Sequence, residues 1–236
     1  MSYELEKQFI ARITAPLRHL NEHPPQTLGE YSNGKLIHGT TIGAFTVEHG
    51  QRALAFSDGK VSMGNTPVHL GYRKILAIDH HTRMLISGSP VVGMHHAASM
   101  KAWIGFREDT TGEQVSARAK VKFLSRLLLG SINLMHAGIV CAPILVMYDI
   151  RRKKAARIFA LGADGSEIEH TDCTAGGSGS VVNVLLKNEW RAELTVDQGV
   201  ALARKLILET APNNDSFSGG KVSIDLVGPE GARTIQ

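Results

Sequence analysis

The sequence lacks a hydrophobic run long enough to span a bilayer. Its longest apolar stretch, Ile139 to Tyr148, is broken by Pro143 and reaches only about half of the roughly 20 residues a spanning helix needs. Nor do residues Met1 to Arg12, where charged and apolar groups alternate, offer the apolar segment of a secretory signal. A cytoplasmic protein with no membrane partner is expected. Cysteine is scarce as well: Cys141 and Cys173 each stand without a second thiol or paired histidines at a zinc-ligand spacing, which predicts two reduced, buried or half-buried thiols. His80-His81 and His95-His96 have no third ligand at a helical spacing, so core or surface histidines are expected and no metal. Gly176-Gly177-Ser178-Gly179 has neither the lysine of a phosphate-binding loop nor the spacing of a dinucleotide turn, and no cofactor is expected.

What is present is the composition of one globular domain: 236 residues, 43% hydrophobic and 20% charged, enough to bury most of the unfolded surface. The net charge is +4, and the only dense basic run is Arg151, Arg152, Lys153, Lys154 and Arg157. Because that run lies between two strand-like segments, it reads as a solvated hairpin turn and not as a nucleic-acid site.

Residues 1–39 differ from the rest. Pro24-Pro25, Ser32-Asn33-Gly34 and little periodic hydrophobicity predict a loosely structured leader with a boundary near residue 39. From Thr40 the pattern turns to strands. Thr41 to Val47 and Arg52 to Ser57 form one predicted hairpin, and Lys74 to Ile78 with Arg83 to Ser87 form a second. Helices are predicted over Val91 to Trp103 and over Ala117 to Met135, where Val121, Leu124, Leu128, Ile132 and Met135 recur every three or four residues before Gly138. Ile144 to Asp149 and Ala155 to Leu161 read as a strand pair. A last helix starts at Thr195, with Gln198 completing a capping box and Val196, Val200, Ala203 and Ile207 on its inner stripe. Val222 to Val227 then closes the chain as a strand. This order predicts an α+β fold of antiparallel sheets covered by helices, not a parallel βαβ series.

The chemistry-bearing residues come in six ordered segments: Gly39-Thr40-Thr41; Phe56-Ser57-Asp58-Gly59-Lys60 with Met63-Gly64-Asn65; Arg73-Lys74-Ile75; Ile86-Ser87-Gly88; Gly177-Ser178-Gly179-Ser180; and Asn214-Asp215-Ser216-Phe217-Ser218-Gly219-Gly220. Singly, each has a plainer account. Gly39-Thr40 can simply open a strand of β-favouring threonines, Asp58 and Lys74 can be a surface ion pair, Gly88 a turn, and Ser178 and Asp215 loop residues. Together and in this order, from residue 39 to about 228, the sequence resembles the β subunits of 20S proteasomes. Ala142-Pro143-Ile144-Leu145-Val146 after the long helix, and the six-residue segment Asn214 to Gly219, are most similar to the bacterial proteasome β chains, while Ser218-Gly219-Gly220 argues against the related bacterial protease ring that lacks it. The stretch from Thr40 to Asp58 is about two residues longer than in the family, as a longer first turn around His49 to Arg52 would make it.

The resemblance implies a four-layer αββα sandwich of the N-terminal-nucleophile hydrolase type. It implies a propeptide, residues 1–39, removed by autocatalysis between Gly39 and Thr40, and a catalytic domain, residues 40–236. A threonine hydroxyl is a poor nucleophile and needs a base. The α-amino group that cleavage would free titrates at about 7.7 to 8.0, near working pH. By resemblance, Lys74 lies beside the Thr40 hydroxyl, Asp58 pairs with Lys74, and the Gly88 N–H is the oxyanion donor. Asp215, Ser178 and Ser218 support the Thr40 amine. The substrate pocket would draw on Val61, Tyr72, Ile86 and Pro90, with Lys60 and Ser62 contributing, and its apolar lining predicts cleavage after apolar residues. Gly59-Lys60 and Ser62 depart mildly from the family, which often has a polar residue with arginine, and a threonine.

The implied assembly is a homo-oligomer of seven-membered rings stacked in pairs, with or without a separate α-type ring and an ATP-dependent unfoldase, acting on unfolded proteins. A catalytically silent ring subunit and a small-molecule amidohydrolase of the same fold are the alternatives.

Overall fold

The computed structural model describes residues 3–24, 40–63, 66–151, 154–177, 180–214 and 218–235. In chain order the elements are α1 (Tyr3–Glu22), β1 (Thr41–Val47), β2 (Arg52–Ser57), β3 (Val61–Met63), β4 (Thr66–His69), β5 (Ile75–Asp79), β6 (Thr82–Leu85), α2 (Pro90–Thr111), α3 (Ala117–Leu129), α4 (Ile132–His136), β7 (Ile144–Asp149), β8 (Ala155–Leu161), β9 (Glu167–His170), β10 (Cys173–Gly177), α5 (Ser180–Glu189), α6 (Val196–Lys205), α7 (Ala211–Asn214), β11 (Ser223–Gly228) and β12 (Gly231–Ile235). One π turn, Leu206–Thr210, joins α6 to α7.

Strands β1 and β2 form the expected first hairpin, in register from Ile42↔Ser57 to Val47↔Arg52. Every residue of β1 is buried. Both faces are covered, with Ile42 and Ala44 pointing into one apolar cluster and Phe45 and Val47 into another, so the strand reads as a nearly continuous apolar run. Gly43 lies opposite Phe56, and a Cβ there would stand 2.3 Å from the ring. The turn between the strands puts Glu48 and His49 in the left-handed region at φ of +52° and +55°, which is unfavourable for residues with a Cβ. Their amides donate to the carbonyls of Leu194 and Ala192 at 2.9 and 2.7 Å and hold the turn in place.

Two five-stranded antiparallel sheets result, in the orders β10-β1-β2-β11-β12 and β5-β6-β7-β8-β9. Alternation along each strand divides the core into three layers. Between the sheets lie Ile42, Ala44, Ala53, Ala55, Ile75, Leu85, Ile144, Val146, Ile158 and Val227. The other face of the second sheet, with Met84, Leu145, Met147 and Phe159, packs on α2 and α3 through Met100, Trp103, Val121 and Leu124. The other face of the first sheet, with Phe45, Leu54 and Phe56, packs on α5 and α6 through Val182, Leu186, Leu202 and Ala203. Helix, sheet, sheet, helix is the four-layer α+β sandwich. The buried carboxylate of Asp225 on β11 ties the sheets together, accepting from Arg73 Nη2 at 2.7 Å and Arg83 Nε at 2.7 Å.

Several local expectations hold. The capping box of Thr195 and Gln198 is formed at the start of α6, and Gly138 follows α4 with φ of +84°. The solvated basic turn holds only in part: Arg151 and Lys154 are exposed between β7 and β8, Arg152 and Lys153 lie outside the described residues, and Arg157 stands on β8, its side chain 12% exposed and paired with Asp149 and Glu169. Other expectations are corrected. The first long helix runs from Pro90, capped by Ser89, to Thr111, capped by left-handed Gly112. The second is two helices, α3 and α4, interrupted at Gly130-Ser131. The chain does not close at Val227, since β12 follows on the sheet edge.

The largest correction concerns the leader. Residues 3–22 are a continuous helix, α1, lying on α2 and α4. Glu6, Phe9, Ile10, Ile13, Thr14, Leu17 and Asn21 are its less exposed positions, a stripe at the three- and four-residue spacing of a docked helix. Polar Glu6 and Asn21 end that stripe, and Pro16 inside the helix removes a donor for the Arg12 carbonyl. These three residues hide the periodicity in the sequence.

Candidate active site

Five chain segments converge at one end of the two sheets. Thr40 immediately precedes β1, Asp58 follows β2, Lys74 precedes β5, Gly88 follows β6, and Ser218 lies between α7 and β11. Hairpin register brings the first two together, since pairing of Ile42 with Ser57 sets Asp58 beside Thr41. The Asp58 amide donates to the Thr41 carbonyl at 3.0 Å, and Asp58 Oδ1 accepts from the Thr41 amide at 2.9 Å.

Asp58 is fully buried and Lys74 is 2% exposed. Lys74 Nζ donates to Asp58 Oδ1 at 2.6 Å and to the Lys60 carbonyl at 2.7 Å. Asp58 Oδ2 accepts from the amides of Gly219 at 3.1 Å and Lys60 at 3.2 Å. Burial pushes the Asp58 carboxyl above its ordinary range; the charge and hydrogen bond of Lys74 and the amides of Thr41 and Gly219 pull it down. With four donors aimed at its two oxygens, the carboxylate is the form this shell fits. The Thr41 and Ser218 hydroxyls lie 2.8 Å apart, linking β1 to the segment before β11.

Gly88 has φ of +88°, and a Cβ there would stand 2.1 Å from the Val140 carbonyl oxygen. No other residue fits. Its loop is clamped to Val140–Ala142 by the Ser89 amide on the Val140 carbonyl at 2.7 Å, the Ala142 amide on the Ser87 carbonyl at 3.1 Å, and Ser87 Oγ on the Ala142 carbonyl at 3.0 Å. A small pocket beside it is lined by Thr40, Val61, Tyr72, Lys74, Ile86, Gly88 and Pro90. The structure thus gathers Thr40, Lys74 and Gly88 with the four apolar or aromatic residues singled out from the sequence, and sets Asp58 and Ser218 behind them.

Lys60 and Ser62 are not among the lining residues. Lys60 enters the site through its backbone, as acceptor for Lys74, and Ser62 is buried on β3. Gly39, Ser178 and Asp215 lie outside the described residues. Sequence reasoning did not single out Thr41, whose amide and hydroxyl bond Asp58 and Ser218, or Gly177. Gly177 pairs with Thr41 at φ of +79°, and a Cβ there would come within 1.7 Å of the Thr40 carbonyl oxygen. Its place in the Gly177-Ser178-Gly179-Ser180 segment was a signal, but its function depends on strand register.

Cys141 and Cys173 are buried free thiols, pushed up to about 12 and about 11 chiefly by burial, and are unreactive as placed. Among the described residues no three His, Cys, Asp or Glu side chains are grouped to hold a metal ion, and no helix is long and apolar enough to cross a membrane.

Comparison with known proteins fits this geometry. The family described as "Proteasome subunit" matches residues 37–227. A protein of Jonesia denitrificans named "Proteasome subunit beta" is 27% identical over 183 residues, 77% of this chain and 60% of its own length. One of the same name from Streptomyces griseus subsp. griseus is 26% identical over 184 residues, 78% of this chain and 64% of its own length. The matches therefore span less than two thirds of those relatives. By the extent of the family match and by its four-layer α+β architecture, the chain belongs to the proteasome subunit family and has that family's N-terminal-nucleophile hydrolase fold.

Proposed function

We propose that the protein is a threonine endopeptidase, a β-type subunit matured by autocatalytic cleavage between Gly39 and Thr40. The observation that carries this reading is the buried Lys74–Asp58 pair at 2.6 Å, whose lysine opens onto the pocket that Thr40 and Gly88 also line. A buried ion pair of this kind costs desolvation energy. Its position beside a hydroxyl residue gives that cost a chemical use.

In the proposed reaction the freed Thr40 amine takes the proton from Thr40 Oγ, and Oγ attacks the substrate carbonyl. Lys74 lowers the energy of the developing alkoxide, and Asp58 keeps the ammonium aimed and charged. The Gly88 N–H donates to the oxyanion. Collapse breaks the peptide bond: the leaving amine takes the proton held by the Thr40 amine, and an ester remains on Oγ. Water, deprotonated by the same amine, releases it. Ser178, Asp215 and Ser218 fix the amine. The pocket of Val61, Tyr72, Ile86 and Pro90 selects an apolar side chain before the cut bond, and no cofactor takes part.

The proposed setting is cytoplasmic: homo-oligomeric, seven-membered rings stacked in pairs, either with a separate α-type ring and an ATP-dependent unfoldase or as a stand-alone double ring, with unfolded proteins as substrates. The test is N-terminal analysis of the assembled protein together with peptide hydrolysis. Chains beginning at Thr40, and hydrolysis blocked by an epoxyketone or boronate and absent in Thr40→Ala, are the expected results. Processed rings without hydrolysis would point to a silent structural subunit. Hydrolysis of small amides but not peptides would point to an amidohydrolase.

A further inference from the structure

Helix α1 is built into the domain on the helical layer, through contacts that do not involve the Gly39–Thr40 bond. Leu17 is 6% exposed and belongs to the same apolar cluster as Trp103, Phe123 and Leu134, with Ile10 and Ile13 packed against it. Phe9 stacks on Phe106 with centroids 4.2 Å apart, and Trp103 stacks in turn on Phe123 of α3 at 4.2 Å. The polar contacts are equally specific. Glu6 accepts from Trp103 Nε1 at 3.1 Å and pairs with Arg107 at 2.9 Å, and Ser99 Oγ donates to the Ile13 carbonyl at 3.3 Å.

At the other end of α1, Asn21 Oδ1 accepts from the amides of Asn133 and Leu134 at 3.0 and 3.2 Å, and the Asn21 carbonyl accepts from Asn133 Nδ2 at 3.2 Å. Helix α4 has no cap of its own. Ser131, at its N-cap position, makes no side-chain capping bond, and its hydroxyl donates backward to the Leu127 carbonyl. The first-turn amides of α4 are orphan donors by construction, and α1 supplies their acceptor.

We infer that α1 stays docked on α2 and α4 after the chain is cut, so that the mature subunit is a two-chain unit: residues 40–236 with a leader fragment carrying residues 3–22. The inference rests on the proposed cleavage at Gly39–Thr40. Hydrolysis of that bond removes none of the contacts just described. Departure of the helix would uncover Leu17's apolar partners, leave the Trp103 indole N–H and the Arg107 guanidinium without Glu6, and uncap α4.

Intact-mass analysis of the purified, proteolytically active assembly, denatured only after gel filtration, tests it. Expected are chains beginning at Thr40 together with a fragment containing residues 3–22, one per mature chain. Chains beginning at Thr40 with no such fragment would overturn retention and leave the cleavage reading intact; chains still carrying residues 1–39 covalently would overturn both. A second arm uses Leu17→Asp, which puts a charge in the apolar seat. It is expected still to mature to Thr40 but to lose the fragment during gel filtration. Equal retention in wild type and Leu17→Asp would show that the described docking is not what holds it.

Discussion

Lys74 Nζ is 2.6 Å from Asp58 Oδ1, and neither side chain is more than 3% exposed. Two opposite charges out of water are tolerable only together. Asp58→Asn or Lys74→Ala therefore leaves one buried group uncompensated, and each is expected to abolish peptide hydrolysis and to cost about 3–5 kcal/mol of stability. Lys74→Met with Asp58→Asn removes both charges and should recover a large part of that stability with no recovery of activity. Denaturant unfolding of the two single variants and the double variant checks this; additive losses in the double variant would contradict the coupling.

Gly88→Ala and Gly177→Ala test two backbone constraints. Each glycine has a positive φ, and an added Cβ would meet a carbonyl oxygen, of Val140 at 2.1 Å and of Thr40 at 1.7 Å. A left-handed non-glycine residue costs about 1–2 kcal/mol before any clash. Gly177→Ala should displace Thr40, with turnover falling by at least about 100-fold, the scale of losing one aligned catalytic group. Thermal melts and single-turnover assays on the same preparations separate the stability effect from the loss of activity.

The pocket of Val61, Tyr72, Ile86 and Pro90 predicts cleavage after apolar residues, with Ile86→Ala shifting preference toward larger ones. One methylene in such a pocket changes selectivity about 10- to 200-fold. A peptide library read by mass spectrometry decides the matter, and cleavage mainly after acidic or basic residues would contradict it.

Acid should destabilise the domain through His96, which is fully buried in α2. Burial, and to a lesser degree the neighbouring His95, holds it down to about 4, against 6.5 for the free side chain. The unfolded chain thus binds the proton more readily than the native one. The stability due to neutral His96 is fully present above pH 6.5 and is lost as pH falls toward 4, about 2–3 kcal/mol by pH 4.5. Asp58, whose carboxyl is raised by burial, acts in the opposite sense, since its protonation becomes easier in the native state. Urea midpoints at pH 7.5 and 4.5 should differ for the wild type and differ less for His96→Met.

The parts of this molecule that were legible in the sequence are those in which one residue type has one physical reason to be there. The Thr195–Gln198 capping box and the strand runs of β1, β2, β7 and β8 belong to that group, whereas the segments around Asp58, Lys74 and Gly88, each with a plainer account alone, were legible only together and in order. What could not be read depended on contacts distant in sequence. Thr41 and Gly177 acquire their roles only when β10 lies beside β1, and β12 only when β11 offers an edge. Helix α1 is not legible because its docking stripe begins with a glutamate that meets Trp103 and ends with an asparagine that caps another helix. Both look like solvent-facing residues until their partners are placed.

That asparagine yields the most local test. Asn21 Oδ1 is the side-chain acceptor for the Asn133 and Leu134 amides at 3.0 and 3.2 Å, and loss of a capping side chain costs about 0.5–2 kcal/mol. In the full-length chain, Asn21→Ala should speed hydrogen exchange at the amides of α4 by about 2- to 30-fold, the same energy expressed as an opening equilibrium. The amides of β7, in the sheet below, should be unaffected. Asn21→Asp keeps an acceptor oxygen and adds a negative charge at the helix N-terminus, which the helix dipole favours, so protection should return. If Asn21→Asp exchanged as fast as Asn21→Ala, the contact would be one of shape alone and the cap would have to lie elsewhere.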